Sequence, residues 1–114
     1  MWIRTLILVA GLTALAACGR PLGKADMLAG CQTAARQVLF NLRDAEVDYT
    51  AVVGKEGIVR FQVARPSGEP LPVTAKCKVD NHGDLRRLKI DGVRITGSRL
   101  DAAQEAFADA TEQN

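Results

Sequence analysis

The side chains of this sequence that are best able to do chemistry are three cysteines and a single histidine. The cysteines are Cys18, Cys31 and Cys77, and the histidine is His82, in a segment typical of a turn. Structural and catalytic zinc sites need clustered Cys and His residues, and phosphate-binding loops need a glycine-rich motif that ends in Lys and Ser or Thr. The sequence contains neither pattern. It therefore predicts no metal site, no cofactor and no catalytic residue.

The first 17 residues have the parts of an export signal. Arg4 supplies a positive charge, and an apolar run of about ten residues extends from Leu6 to Leu15. A transmembrane helix needs about 20 apolar residues, so this run is too short to span a bilayer. We therefore predict a signal peptide over residues 1–17. Its removal takes away one cation from a chain of net charge +2, so the overall charge indicates no particular partner.

The end of this segment carries a more specific motif. Leu15-Ala16-Ala17-Cys18 resembles the lipobox of bacterial lipoproteins, in which a branched residue and two small residues precede the cysteine. The resemblance covers only the first 18 residues. It implies a diacylglycerol on the Cys18 sulfur, cleavage before Cys18, and anchoring to a membrane. Because Gly19 rather than Asp follows, enterobacterial sorting rules imply the outer membrane, facing the periplasm. The alternative is an ordinary secretory signal cut near Ala14-Leu15-Ala16, with Cys18 unmodified.

After a short tether over residues 18–24, residues 25–114 are predicted to form one domain with a helix at each end. The first helix extends from about Lys24 or Asp26 to Leu42, and a short C-terminal helix begins near Ser98. Both predictions depend on apolar residues that recur at steps of three and four. These residues are Leu28, Cys31, Ala35, Val38, Leu39 and Leu42 in the first helix, and Leu100, Ala103, Phe107 and Ala110 in the second.

Between the helices the apolar period changes to two, which indicates β-strands. Strands are predicted over residues 47–53, 59–63, 73–79 and 85–90. Lys55-Glu56-Gly57 is predicted to be the first hairpin loop, which would place Tyr49 and the alternate residues after it on the same face as Phe61. A turn at His82-Gly83 pairs Cys77 with Leu88, and Asp91-Gly92 marks a bulge or a further turn. The predicted fold is α+β: an N-terminal helix packed on a four-stranded antiparallel meander, a short C-terminal helix and one disulfide.

The disulfide follows from the lipobox resemblance together with the predicted fold. If Cys18 carries the lipid, Cys31 and Cys77 remain as a pair in an oxidising compartment, where a disulfide persists. Cys31 lies on the apolar stripe of the first helix and Cys77 on the apolar face of the third strand, so both point into one core. A bonded pair leaves no cysteine to act as a nucleophile. The alternative is two buried free thiols.

The polar residues of the strands predict a basic face on the sheet. Aligning Phe61 with Ala75 places Arg60 in one row with Lys76 and Lys89, without an acid between them. Like charges directly opposite one another cost stability, so such a face indicates a docking surface for an anion: lipid A phosphate, an acidic polymer or an acidic protein groove. The alternative is a solvated face, which Asp91, Asp80 and Glu56 approach and over which the acidic last helix folds. The five predicted cations are Arg60, Lys76, Lys78, Arg87 and Lys89.

Together these features predict a non-catalytic, lipid-anchored lipoprotein of the cell envelope that serves as an accessory or binding module. Its expected partner is an envelope protein or an anionic envelope polymer, and nucleic acid is not expected for an exported chain. One alternative is an inhibitor of an exported hydrolase such as lysozyme, by analogy of size and placement with lipid-anchored lysozyme inhibitors. A second is an enzyme acting on cell-wall or lipid substrates, which needs two carboxylates converging in a pocket.

Overall fold

The computed structural model of this chain describes residues 22–112. The predicted signal peptide, Cys18 and most of the predicted tether lie outside the described residues. In chain order, five strands lie between two α-helices. The elements are α1 (Lys24–Val38), a 3-10 turn (Phe40–Leu42), β1 (Glu46–Val53), β2 (Glu56–Val63), β3 (Leu71–Val79), β4 (Leu85–Ile90), β5 (Val93–Arg94) and α2 (Gly97–Glu112). The predicted α+β class is confirmed, with one more strand than the four expected. Neither helix of residues 22–112 is long and apolar enough to cross a bilayer.

Helix α1 is shorter than predicted. Its N-cap is Gly23, and Asp26 lies in the first turn, where a carboxylate favours the positive end of the helix dipole. The helix ends at Val38 because Leu39 adopts an extended backbone conformation, and a 3-10 turn then carries Leu42 into the core. Residues three apart are eclipsed in a 3-10 turn. The three-residue spacing of Leu39 and Leu42 therefore fits a 3-10 turn as well as an α-helix, and it does not reveal where the α-helix ends.

Both helices lie on the same face of the sheet and form the second layer of the domain. The two helices approach closely at Gly30, where an added Cβ atom would lie 2.7 Å from the Phe107 ring. Gln104 of α2 donates a hydrogen bond to the carbonyl oxygen of Leu85 in β4. The core between the layers includes Phe61, Leu88 and Phe107, all of them almost fully buried. The acidic C-terminal helix therefore packs beside α1 and does not cover the other face of the sheet.

The sheet is an antiparallel meander with the strand order β1-β2-β3-β4-β5. The β3–β4 register, with Cys77 opposite Leu88, is the predicted one. The fifth strand follows from Asp91-Gly92. Asp91 and Gly92 have φ angles of 50° and 82°, and positive φ at both central residues is typical of a type I′ hairpin turn. Val93 and Arg94 consequently fold back along β4, with Arg94 opposite Lys89.

The predicted β1–β2 hairpin is wrong by one residue in the length of its loop. The loop is Gly54-Lys55, since Val53 pairs with Glu56, and the positive φ of 62° falls at Gly54, as in a type II′ turn. A one-residue change reverses the face on which every side chain of a strand lies. Tyr49 therefore lies on the face away from the helices. A bulge between Val47 and Tyr49 returns Val47 to the inner side.

A disulfide joins the two layers. Cys31 of α1 bonds Cys77 of β3, with an S–S distance of 2.07 Å and a Cα–Cα distance of 5.8 Å. Both residues are fully buried, so the bond crosses the centre of the core. This confirms the predicted pair.

Candidate docking surface

The face of the sheet opposite the helices, called here the outer face, presents the alternate residues of the same strands that build the core. In β2 and β3 the odd-numbered residues from Gly57 to Val79 are buried, except Leu71. The even-numbered residues between them are exposed or half-buried. Because successive side chains of a strand point to opposite faces, the burial of Cys77 places Lys76 and Lys78 on the outer face.

The register sorts the outer face into four rows that cross the strands, and the last of them contains Glu46, Gln62 and Pro72. Each row holds residues that lie opposite one another on neighbouring strands. The first row, at the end of the sheet with the β1–β2 turn, contains Val53, Glu56, Lys78 and Arg87. The second row contains Ala51, Ile58, Lys76, Lys89 and Arg94. The third row contains Tyr49, Arg60 and Thr74.

Five cations gather on β3, β4 and β5 in the first two rows and are called here the basic patch: Lys76, Lys78, Arg87, Lys89 and Arg94. Lys76 lies opposite Lys89, and Lys78 opposite Arg87, as predicted. None of the five makes an ion pair or a side-chain hydrogen bond within residues 22–112. Like-charged residues directly opposite each other are destabilising. The patch is thus a feature that folding alone does not favour.

Arg94 was missed by the sequence prediction, although a signal for it was present. Asp-Gly is among the strongest type I′ turn sequences, and a two-residue loop at Asp91-Gly92 leads directly to the pairing of Lys89 with Arg94. A hairpin turn at Asp91-Gly92 thus predicts that Arg94 lies beside Lys89 as the fifth cation of the patch.

Arg60 does not belong to the basic patch, contrary to the prediction. It lies opposite Thr74 rather than Lys76 because β2 pairs with β3 two residues away from the predicted register, with Phe61 opposite Val73. A shift of two residues keeps every side chain on its predicted face, so the alternation of apolar residues does not reveal it. The shift moves Arg60 into the third row.

The charge of Arg60 is neutralised by a neighbour from β1. Its Nε atom lies 2.9 Å from the Asp48 Oδ1 atom, and its guanidinium stacks over the Tyr49 ring at 5.4 Å. Gln62 donates a further hydrogen bond of 2.7 Å to Asp48. The Arg60 and Gln62 hydrogen bonds lower the pKa of Asp48, and Asp48 in turn raises the pKa of Arg60. Asp48 reaches Arg60 because it is the extra residue of the β1 bulge.

Two carboxylates, Glu56 and Asp91, border the basic patch, and the prediction had both approaching this face. Glu56 lies opposite Lys78. Asp91 accepts a 2.9 Å hydrogen bond from the Thr74 backbone N–H, while its own N–H donates to the Thr74 carbonyl oxygen. Together with Lys76, Lys89 and Gly92 these residues line a depression of about 520 Å³. The patch therefore carries five cations against two carboxylates.

The depression contains two carboxylates, as a carboxylate enzyme needs, but neither of them is buried in an apolar site. A general acid at neutral pH has its pKa raised by burial in an apolar site. Glu56 is only half-buried and Asp91 is exposed. Asp91 also holds the β4–β5 hairpin to β3 through its pair of hydrogen bonds with Thr74. The arrangement fits a rim of mixed charge better than a pair of catalytic carboxylates.

The single histidine lies in the β3–β4 turn. The Asp80 Oδ1 atom accepts hydrogen bonds from the backbone N–H groups of His82 and Asp84, at 2.9 and 3.1 Å. These bonds, led by that from Asp84, lower the pKa of Asp80. The role of Asp80 is therefore to shape the turn. Residues 22–112 contain no group of three or more His, Cys, Asp or Glu side chains that could hold a metal ion.

Comparison with known proteins adds no function to this geometry. No protein-family model matches the chain, and no curated protein and no solved structure is similar to it.

Proposed function

We propose that this chain is a non-catalytic lipoprotein of the bacterial cell envelope, anchored through Cys18 to the outer membrane on its periplasmic side. In this proposal its domain is a binding module, and the basic patch is the surface that recognises an anionic partner. The lipid anchor supports the function by holding the domain at a membrane, where its effective concentration toward envelope partners is high.

The observation that carries this proposal is the pairing of unneutralised cations across β3 and β4. Lys76 opposite Lys89 and Lys78 opposite Arg87 each cost stability, and a neutral β-forming residue at any of these positions would relieve that cost. Residues that reduce stability without a structural benefit are typical of functional sites. The whole chain of 114 residues is close to charge balance, with a net charge of +2, so the five cations are a local concentration of positive charge.

The spacing of the cations favours an extended anion over a single small one. Neighbouring strands are about 4.8 Å apart, and alternate residues along a strand are about 7 Å apart. Five cations on three strands therefore form a two-dimensional array. Such an array matches repeated phosphate or carboxylate groups on a polymer, a protein surface or a lipid layer.

The binding surface is tested by photo-cross-linking in living cells. We would place the photoreactive residue at Ile58 or Thr74, neutral neighbours of the patch, so that all five cations remain. We expect adducts that disappear when Lys76→Glu and Lys89→Glu are combined. The matched control reverses Lys24 and Arg99, exposed cations outside the patch, which changes the net charge equally and should leave the adducts intact. Adducts that survive the patch reversal, or that form only from a probe at Asp101 on α2, would refute the proposal.

The anchor is tested separately by labelling cells with an alkyne analogue of palmitate. We expect the protein to be labelled, to fractionate with membranes, and to lose both properties when Cys18→Ala is introduced. An unlabelled protein released into the soluble fraction would instead show an ordinary secretory signal.

A lysozyme inhibition assay with the released domain addresses the inhibitor alternative. We expect no loss of lysozyme activity at a large molar excess, because the proposed partner is an anion. Inhibition that disappears with the patch reversal would assign the basic patch to an enzyme cleft instead.

A further inference from the structure

We propose that the anionic partner of the basic patch is the phospholipid surface that holds the anchor, and that the outer face of the sheet lies against it. This inference rests on the proposed function, because it requires the lipid on Cys18 and a working basic patch. It adds a class of ligand, the phosphate layer of anionic phospholipids, and an orientation of the domain on the membrane.

The first support is the position of the chain's entry into the domain. Leu22 packs against the core and lies beside Gly83 in the β3–β4 turn. That turn is at the same end of the sheet as the β1–β2 turn, since the Val79 N–H donates to the Lys55 carbonyl oxygen. Leu22 follows Cys18 by only four positions in the sequence, and an extended chain spans at most about 3.6 Å per residue. Leu22, at the end of the sheet that holds the first row, therefore stays within about 15 Å of the anchor.

The second support is the chemistry of the first two rows. On β1 and β2 they present an apolar margin, with Val53 66% exposed and Ala51 and Ile58 half-buried, and this margin is interrupted by Glu56 in the first row. On β3 to β5 they present the basic patch. Surfaces that bind in the interface of a membrane combine apolar side chains with Lys and Arg. A soluble acidic protein groove would use the cations, but it would leave Val53 without a partner.

The third support is the orientation of the rows relative to the anchor. The first row, with Val53, Lys78 and Arg87, is the one nearest the tether. Arg60 in the third row, farther from the anchor, is already paired with Asp48. The unneutralised cations thus lie in the two rows nearer the end that the tether holds, three of them in the second row and two in the first. Electrostatic attraction to a membrane decays over the Debye length, about 8 Å at physiological salt, so only cations kept close to the surface contribute.

The size of the effect is enough to orient a tethered domain. Each Lys or Arg near an anionic surface strengthens association roughly fivefold. Because the anchor already confines the domain, the patch has only to select one orientation, without collecting the protein from solution. We expect reversal of two patch cations to shift the ratio of docked to undocked domain by more than tenfold.

The experiment uses a single tryptophan as a reporter. The only Trp of the chain is Trp2, within the predicted signal peptide, so the processed lipoprotein contains none. We would purify the lipidated protein with Val53→Trp and reconstitute it into phosphatidylcholine vesicles with or without about one-third phosphatidylglycerol. We expect a blue-shifted emission and quenching by brominated lipid only with phosphatidylglycerol. Both should be lost near 1 M salt, where the Debye length is about 3 Å.

Matched variants make the result specific to the outer face. Phe40→Trp places the reporter at an exposed site (79%) off the sheet, after the C-terminal end of α1, and we expect it to stay unquenched. Lys76→Glu with Lys89→Glu should abolish the quenching of the Val53 reporter, whereas reversal of Arg43 and Arg99, exposed cations away from the tether, should preserve it. Tyr49→Trp, on the same face, serves as a second reporter if the Val53 variant does not fold.

The outcomes separate this inference from the proposed function. Quenching that is equal in neutral and anionic vesicles, or that survives the patch reversal, would overturn lipid docking. An unquenched reporter together with patch-dependent adducts to a protein or a polymer in cells would also overturn it, while leaving the proposed binding module in place. If neither the lipid quenching nor the patch-dependent adducts are observed, both lipid docking and the proposed binding module are refuted.

Discussion

The two faces of the sheet are built from alternate residues of the same strands, yet they differ in almost every physical property. The inner face carries Phe61, Ala75 and Cys77, each fully buried under the helices. No buried polar or charged residue occurs among the described residues of the core. The outer face, one residue away along the chain, carries Lys76 and Lys78 with no ion-pair partner in residues 22–112.

In the proposed function, the inner face supplies the stability of the domain and the outer face supplies the binding. Apolar burial and the disulfide act on the inner face, where a change in volume or shape is costly. The outer face contributes little to folding and in part opposes it through like-charged pairs. We therefore expect substitutions on the inner face to change stability strongly, and substitutions in the patch to change binding while leaving stability equal or better.

The largest effect is expected from removing the disulfide. The Cys31→Ala and Cys77→Ala double variant deletes a cross-link between residues 46 apart in sequence, and the chain-entropy model gives a loss of about 4 kcal/mol in the free energy of unfolding. Urea denaturation followed by circular dichroism measures it. Cys18→Ala is the control and should leave the value unchanged. A loss within about 0.5 kcal/mol, the scale of ordinary surface substitutions, would contradict the central role of the inner face.

A smaller effect is expected where the two helices touch. Gly30→Ala adds a Cβ atom at 2.7 Å from the Phe107 ring, and overpacking of this kind costs about 1–3 kcal/mol, against the gain that Ala gives in a helix. Thermal unfolding of the single variant should show the loss. Combining it with Phe107→Leu sharpens the test, because the smaller side chain relieves the clash and the two effects should not add. Additive losses would mean that Gly30 and Phe107 do not constrain each other.

The smallest effect, and the one of opposite sign, is expected on the outer face. Lys76→Thr removes one partner of the Lys76–Lys89 pair and supplies a better strand former, so the free energy of unfolding should rise by about 0.2–1 kcal/mol. The same change should weaken patch-dependent binding. Lys55→Thr, at the β1–β2 turn, is the control for stability and should leave the free energy of unfolding unchanged. A destabilised Lys76→Thr variant would show that the patch has a structural role.

Much of this fold follows from local patterns in the chain. The alternation in β3 and β4, with turn residues between them, is enough to derive the pairing of Cys77 with Leu88 and the outward direction of Lys76, Lys78, Arg87 and Lys89. The helical spacing around Cys31 and Phe107 likewise predicts which sides face the core. These predictions succeeded because side-chain direction depends only on the period of the element, which neighbouring residues display directly.

Tertiary structure alone decided the length of the first hairpin loop and the register between strands, which the apolar period of a strand does not fix. A hairpin loop of two residues instead of three placed Tyr49 on the outer face, and a register shift of two residues moved Arg60 away from Lys76 to its partner Asp48. The apolar pattern of β2 fits both registers equally well, because a shift of two residues preserves every face. Which of them forms depends on the packing of the whole sheet beneath the helices. The sequence by itself therefore determined what β2, β3 and β4 present to either side, and the three-dimensional fold decided the faces of β1 and which charges meet.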